Sequence, residues 1–308
     1  MSQCMHNPHS KLDVVLNECE DANEPNGTWK HLASGAMAGI VSRTATAPLD
    51  RIKVILQVDG LGKYKSFAEV AGGMYREGGI RGFWRGNGMN VMKVAPNSAL
   101  TFMTYDLFKQ ILKTDDKVEL TASKRFIAGG LAGVLSSTII FPLDTLKTRL
   151  ALRKTDQYRG IVDAATSIYR KEGIKVFYRG LTPNILGIIP YSGIELALYE
   201  TLKNRWMLKN PTVEEANTFV LLRCGIVAST VGQMVAYPLA LVRTKMQAPA
   251  VKDAPTSMVA VARFIYHRHG IHGFYFGIMP NFLKAAPSVA INYVVYEKCR
   301  QALGVTMT

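Results

Sequence analysis

The sequence is poor in cysteine, in acidic residues and in long apolar runs. Four cysteines (Cys4, Cys19, Cys224, Cys299) stand among 308 residues, with no Cys-x-x-Cys pair. That excludes a disulfide scaffold and a cysteine-based zinc site. No Gly-x-Gly-x-x-Gly follows a strand pattern. Gly60-Leu61-Gly62-Lys63 lacks the first glycine of a phosphate-binding loop, position 57 being glutamine. No Ser/His/Asp or Cys/His arrangement stands out, so an enzyme is not expected. His267, His269 and His272 cluster beside a helix end in a basic loop and read as solvated rather than metal-binding; no cofactor is called for. The first 30 residues carry a net charge of −3. They have neither the apolar run of a secretory signal nor the arginines of a transit peptide, and they offer no window with the offsets of a calcium-binding EF-hand loop.

What is present is basic and half apolar. Lys and Arg number 37 against 23 Asp and Glu, giving +14, and hydrophobic residues make up 48%. The hydrophobic fraction excludes disorder. The length alone suggests two domains at about 150 residues each, and the charge alone suggests nucleic acid, a membrane surface or anionic ligands. A mean hydropathy of +0.07 is low for a protein that crosses a membrane many times.

Internal repetition overrides these averages. Pro48-Leu49-Asp50-Arg51-Ile52-Lys53 recurs as Pro142-Leu143-Asp144-Thr145-Leu146-Lys147 and as Pro238-Leu239-Ala240-Leu241-Val242-Arg243, 94 and 96 residues on. A second marker follows each: Glu77-Gly78 with Arg85-Gly86, Glu172-Gly173 with Arg179-Gly180, and His269-Gly270 with Phe276-Gly277. Tyr105-Asp106-x-x-Lys109, Tyr199-Glu200-x-x-Lys203 and Tyr296-Glu297-x-x-Arg300 close the three units. The division expected is an acidic, solvated tail over 1–29 and repeats over 30–119, 120–214 and 215–308.

Each repeat holds two helical patterns. Phe126–Leu143 and Cys224–Val242 are uncharged runs of 18 and 19 residues, about the length that crosses a bilayer core. Second apolar stretches cover 88–105, 181–199 and 278–296. Small residues at four-residue spacing (Gly35 and Gly39, Gly129 and Gly133, Gly225 and Ser229) let backbones approach closely. The fold expected is an all-α membrane protein with six transmembrane helices in three tandem two-helix repeats. Pro48, Pro142 and Pro238 fall inside helical patterns and are expected to kink them. A soluble helical solenoid is disfavoured because solenoid repeats run about 20–50 residues. The connections 53–87, 147–179 and 243–276 net +3, +6 and +4, against +1 for each of 106–125 and 200–223. The positive-inside bias places the first three on one face and both termini on the other.

Four ionisable residues remain inside the spans: Arg43, Lys93, Glu195 and Lys284. Charge at that depth is costly and faces a cavity or a partner. Their excess of cations favours an anion rich in phosphate or carboxylate oxygens. Snorkelling of Lys93 and Lys284 to an interface is the competing reading, as is pairing of Arg43 with Asp50. Glu195 either pairs with a cation or helps hold a magnesium ion brought by the substrate. In Pro-x-acid-x-x-base the two charges share a helix face. Acid and base can pair within a helix, or with neighbouring helices to close a ring at each end of a pore.

The tripled motif on a unit of about 95 residues resembles the mitochondrial carrier family over residues 30 to 303, nearly the whole chain. That resemblance implies threefold pseudosymmetry, short helices on the matrix side and one central site with alternating access. It is closer still to the ATP-Mg/phosphate carriers, through Arg43-Thr44-Ala45-Thr46-Ala47-Pro48-Leu49-Asp50-Arg51, Trp84-Arg85-Gly86-Asn87-Gly88, Leu186-Gly187-Ile188-Ile189-Pro190-Tyr191 and Tyr237-Pro238-Leu239-Ala240-Leu241-Val242-Arg243-Thr244. The resemblance implies substrate contacts at Lys93, Gly187-Ile188 and Lys284, with Arg43 as a further basic site and Gly187-Ile188 seating adenine. It implies a matrix gate of Asp50–Lys147 and Asp144–Arg243, with Lys53 lacking its acid because position 240 is alanine, and with Gln57 and Gln247 as braces. A cytosolic gate would pair Asp106–Lys203, Glu200–Arg300 and Glu297–Lys109.

The segment Arg243-Thr244-Lys245-Met246 is not the triple-arginine run of ADP/ATP carriers. With no EF-hand region, the chain is expected to be a short, calcium-independent form. It would be a monomer of the inner membrane, in contact with lipid such as cardiolipin and not with nucleic acid, exchanging ATP-Mg and ADP for phosphate. Carriage of another nucleotide-like anion such as coenzyme A, or an uncoupling-type proton leak, are the alternatives.

Overall fold

The computed structural model describes residues 28–59, 66–112, 122–154, 157–210, 218–249 and 257–303. The acidic tail up to residue 27, with Cys4 and Cys19, and the Gly60–Lys63 segment lie outside the described residues. Those described are helical, with no strand among them. Repeat one contains α1 (Thr28–Asp59), α2 (Phe67–Gly78), α3 (Asn87–Met92) and α4 (Val94–Leu112). Repeat two contains α5 (Ala122–Leu152), α6 (Ile161–Glu172) and α7 (Leu181–Lys209). Repeat three contains α8 (Thr218–Gln247), α9 (Met258–His269) and α10 (Ile278–Ala302). A five-residue 3-10 turn precedes the second long helix of each repeat: Ile80–Trp84, Ile174–Tyr178 and Ile271–Tyr275.

The repeats interlock. The long helices pack in pairs that join one repeat to the next: α4 with α5, α7 with α8, and α10 with α1. The last pairing brings the end of the chain back to its beginning and closes a ring. Small side chains line these seams: Ser34, Ala38 and Ser42 on α1, Ala128, Ala132 and Ser136 on α5, and Cys224 and Ala228 on α8, all buried. Ser42 also donates to the Ser288 carbonyl at 2.7 Å across the α1–α10 seam. The four-residue spacing expected from the sequence is there, but the most buried small residues stand one position before the expected ones, although Ser229 also reaches across its seam to Glu195. Gly35, Gly133 and Gly225 have open space where a side chain would point. Adjacent small residues at 34 and 35, or 224 and 225, leave that phase open in sequence. The partner helix fixes it.

Pro48, Pro142 and Pro238 lie inside α1, α5 and α8, which run through them. The stretch 88–105, expected as one helix, is instead split at Lys93 into α3 and α4. Pro96 has no N–H to give the Met92 carbonyl, so the ladder loses a rung there. Two helical segments, 128–152 and 219–247, are long and apolar enough to cross a membrane by length and composition alone. The other long helices carry charged residues within their length, among them Arg43 and Asp50 in α1, Glu195 in α7 and Lys284 in α10, which lowers the mean hydropathy.

At one end of the ring the short helices α2, α6 and α9 pack under the long ones. Their apolar faces (Val70 and Met74, Ala164 and Ile168, Val261 and Ile265) are buried against the last turns of α1, α5 and α8. Ser66 and Ser257 cap α2 and α9, each accepting at 3.2 Å from the backbone N–H three residues on. Gly86, Gly180 and Gly277 start α3, α7 and α10 in the left-handed region, with φ of 85°, 91° and 78°. A Cβ there would stand 3.0 Å from the Ala151 nitrogen, 2.9 Å from the Arg243 carbonyl oxygen and 3.0 Å from the Lys53 carbonyl oxygen. Each glycine thus lets one repeat rest on the backbone of the next, beside or at its motif base.

Candidate functional site

The proline motif places its acid and base on the inner side of α1, α5 and α8, near the short-helix end. Asp50 receives Lys147 at 3.7 Å, so α1 is tied to α5. Asp144 receives Arg243 at 2.7 Å, so α5 is tied to α8. Ala240 leaves the third position without a carboxylate, and Lys53 instead donates to the Asn281 Oδ1 at 2.8 Å.

Each ring acid also holds a second cation from deeper in the ring. Lys93 Nζ lies 2.5 Å from Asp144 Oδ1, and Lys284 Nζ lies 2.6 Å from Asp50 Oδ1. The break at Lys93 is thus part of the site, because that residue closes α3 and reaches across to α5. The result is one cluster in which, among the described residues, Lys53, Lys93, Lys147, Arg243 and Lys284 have Asp50 and Asp144 as their carboxylates. The side chains in its ion pairs are 16–27% exposed. An uncompensated positive charge in so sheltered a place favours an anion with several oxygens. Neither lysine snorkels to an interface.

Arg43 donates to Asn90 Oδ1 at 3.5 Å and makes no ion pair with Asp50. Glu195 makes no ion pair with any described residue either. It accepts a hydrogen bond from the Ser229 hydroxyl across the α7–α8 seam. Gly187 faces the same seam. A methyl group there would stand 3.6 Å from Leu239 Cβ, an ordinary contact, so packing alone does not demand glycine.

Gln57 and Gln247 lie one turn below the ring and are buried. The Gln57 amide donates to the Tyr237 hydroxyl at 3.1 Å, joining α1 to α8, and Tyr237 donates to the Phe276 carbonyl at 2.8 Å. Gln247 accepts from Thr148 at 3.0 Å, joining α8 to α5. Below this layer, buried Arg149 donates to both Glu172 oxygens and to the Gln247 carbonyl, the latter at 3.2 Å. Arg149 was not legible as a site residue because it has no counterpart in the other repeats: Ile55 and Lys245 stand there. In repeat one the second marker forms an ion pair, Glu77 to Arg85 at 3.6 Å. In repeat three its place is taken by an edge-on contact of the His269 and Phe276 rings, 5.2 Å between centroids.

The opposite end is different. Asp106–Lys203, Glu200–Arg300 and Glu297–Lys109 are not ion pairs in this conformation. Arg300 turns back instead to Glu297 on its own helix at 3.0 Å. The three pairs expected from the sequence are therefore unmade while the short-helix end is drawn together. Among the described residues no group of His, Cys, Asp or Glu is placed to hold a metal ion.

The family model described as mitochondrial carrier protein matches three times, over residues 24–116, 118–210 and 214–306. The calcium-binding mitochondrial carrier protein SCaMC-2-A of Danio rerio is 51% identical over 282 residues, covering 90% of this chain and 60% of that protein. The mitochondrial adenyl nucleotide antiporter SLC25A24-A of Xenopus laevis is 51% identical over 290 residues, covering 93% and 61%. The mitochondrial adenyl nucleotide antiporter SLC25A25 of Homo sapiens is 49% identical over 286 residues, covering 90% and 60%. The chain thus spans about 60% of the length of these relatives.

Proposed function

The chain belongs to the mitochondrial carrier family, multi-pass proteins of the mitochondrial inner membrane, and from that premise we propose that it exchanges Mg-ATP and ADP for phosphate by alternating access. The observation that carries the reading is the cluster in which five cations share two carboxylates, with Lys93 and Lys284 at its inner rim. The relatives named adenyl nucleotide antiporters support the choice of anion. Substrate passes through unchanged, so no catalytic residue is needed.

Arg43, Lys93 and Lys284 neutralise the phosphates in this reading. Gly187 and Ile188 seat the adenine, and Glu195, with Tyr191 and Ser229 beside it, faces the magnesium ion carried as cargo. Asp50, Lys147, Asp144 and Arg243 form the matrix gate, which Gln57 and Gln247 brace. Asp106, Lys109, Glu200, Lys203, Glu297 and Arg300 form the cytosolic gate. The described conformation then has the matrix gate closed and the cytosolic gate open.

Binding and opening are coupled through shared partners. A phosphate group that takes Lys93 and Lys284 deprives Asp144 and Asp50 of one of their two cations each. The ligand weakens the closed gate by its own differential affinity, which is the only way a ligand shifts an equilibrium. Since α10 returns to α1, one chain closes the pore, and a monomer suffices. In this reading exchange proceeds without calcium. Uptake of labelled ATP into liposomes preloaded with phosphate tests the proposal, and its absence would overturn it.

A further inference from the structure

Four residues after each left-handed glycine stands an asparagine: Asn90, Asn184 and Asn281. Two of the three receive the motif base whose carbonyl oxygen lies against that same glycine. Arg243 donates to Asn184 Oδ1 at 2.7 Å, and Lys53 to Asn281 Oδ1 at 2.8 Å. Asn90 lines a small cavity of about 20 Å³ with Lys147 and Asp50, and accepts from Arg43 at 3.5 Å. The asparagines thus form a neutral layer beside the ionic ring, one station per repeat.

Asn281 stands apart within this layer. Lys147 and Arg243 have ring carboxylates, whereas Lys53 has none because residue 240 is alanine. Asn281 is 8% exposed, and its Nδ2 donates to Gln233 Oε1 at 2.7 Å. Gln233 lies on α8, the helix that carries Ala240. The relay Lys53–Asn281–Gln233 therefore ties α1 to α8, the two helices that an acid at 240 would tie.

We propose that Asn281 is the third link of the matrix gate, a positioning residue that holds Lys53 in place of the missing carboxylate. A hydrogen bond from an ammonium to an amide oxygen is weaker than one to a carboxylate, so this link parts most easily and the gate opens asymmetrically. The proposal rests on the reading of the Asp50–Lys147 and Asp144–Arg243 pairs as a gate.

The test uses the purified full chain, read by its thermal midpoint in detergent without substrate and by ATP/phosphate exchange in liposomes. N281A lowers the midpoint by about 3 °C, the order expected for losing one charged hydrogen bond. Adding A240D to N281A restores it, because the new carboxylate takes Lys53. Ala240 is exposed, so the aspartate meets no packing. N281D supplies a charge at the relay itself, raises the midpoint above that of the parent and slows exchange about threefold or more.

A merely structural asparagine would not be rescued from a second helix. A double variant as unstable as N281A alone, or an N281D protein with a lowered midpoint, would overturn the proposal. The midpoint needs no substrate, so a wrong substrate assignment would show as absent exchange with this stability pattern intact.

Discussion

Lys284, on the last helix of the chain, holds Asp50, on the first, at 2.6 Å. In the proposed reading the contact joins a residue of the substrate site to a residue of the gate, and Lys93 does the same for Asp144 at 2.5 Å. Replacing either lysine by alanine should remove both functions. Exchange is expected to fall at least tenfold for each, and the thermal midpoint should fall as well. Exchange retained in both variants would remove the lysines from the site.

The two ends of the pore should differ in what their acids contribute to stability. Asp144→Asn weakens the hold on both Lys93 and Arg243, each partly buried, and is expected to cost about 2–3 kcal/mol. Glu200 makes no ion pair with any described residue, and Glu200→Gln should stay within about 0.5 kcal/mol. Denaturation of the two variants in detergent checks this. Equal losses at both ends would argue against a resting state closed only on the matrix side.

The left-handed glycines and the open ones should respond in opposite ways. Gly180 has φ 91°, and a Cβ would stand 2.9 Å from the Arg243 carbonyl oxygen. Gly180→Ala is therefore expected to cost about 2 kcal/mol or more. Gly130 lies within α5 with nothing in the way of a methyl group, and Gly130→Ala should be neutral or stabilising by up to about 1 kcal/mol. Thermal midpoints of the two variants decide it.

Beneath the gate, the Arg149 guanidinium holds the Glu172 carboxyl below the usual glutamate range. A lowered folded-state value adds stability that is fully present above the unfolded value and is lost as pH falls through the folded one. Glu172→Gln should therefore destabilise the protein at neutral pH by about 1 kcal/mol, a figure discounted for the exposure of Glu172. The difference from the parent should shrink to nothing in acid. A pH series of thermal midpoints reads this directly.

The sequence carried the fold because repetition amplified it. Three copies of proline, glycine and tyrosine markers fix three repeats, and two apolar stretches per repeat mark the long helices but neither the short ones nor the break at Lys93. Among the candidate site residues, Lys93 and Lys284 stood out as charges in apolar stretches. Their pairing with Asp144 and Asp50 did not, because residues 51 and 234 positions apart meet only when the ring closes. The asparagine layer was present in the sequence as glycine-x-x-x-asparagine three times over. Amides, unlike charges, do not stand out inside a span. The seam phase and the His269–Phe276 ring contact depended on which neighbour each helix meets, and a repeat read by itself does not specify that.

Exchange in reconstituted liposomes tests the central claim most directly. Vesicles preloaded with phosphate would be offered ATP, ADP or coenzyme A, with and without Mg²⁺ and Ca²⁺, and proton flux would be followed in parallel. The expected result is uptake of ATP and ADP in exchange for phosphate, unaffected by Ca²⁺ and lost in the Lys93→Ala and Lys284→Ala variants. Uptake of coenzyme A without ATP, stimulation by Ca²⁺, or a proton flux that nucleotides inhibit in place of nucleotide uptake would contradict it.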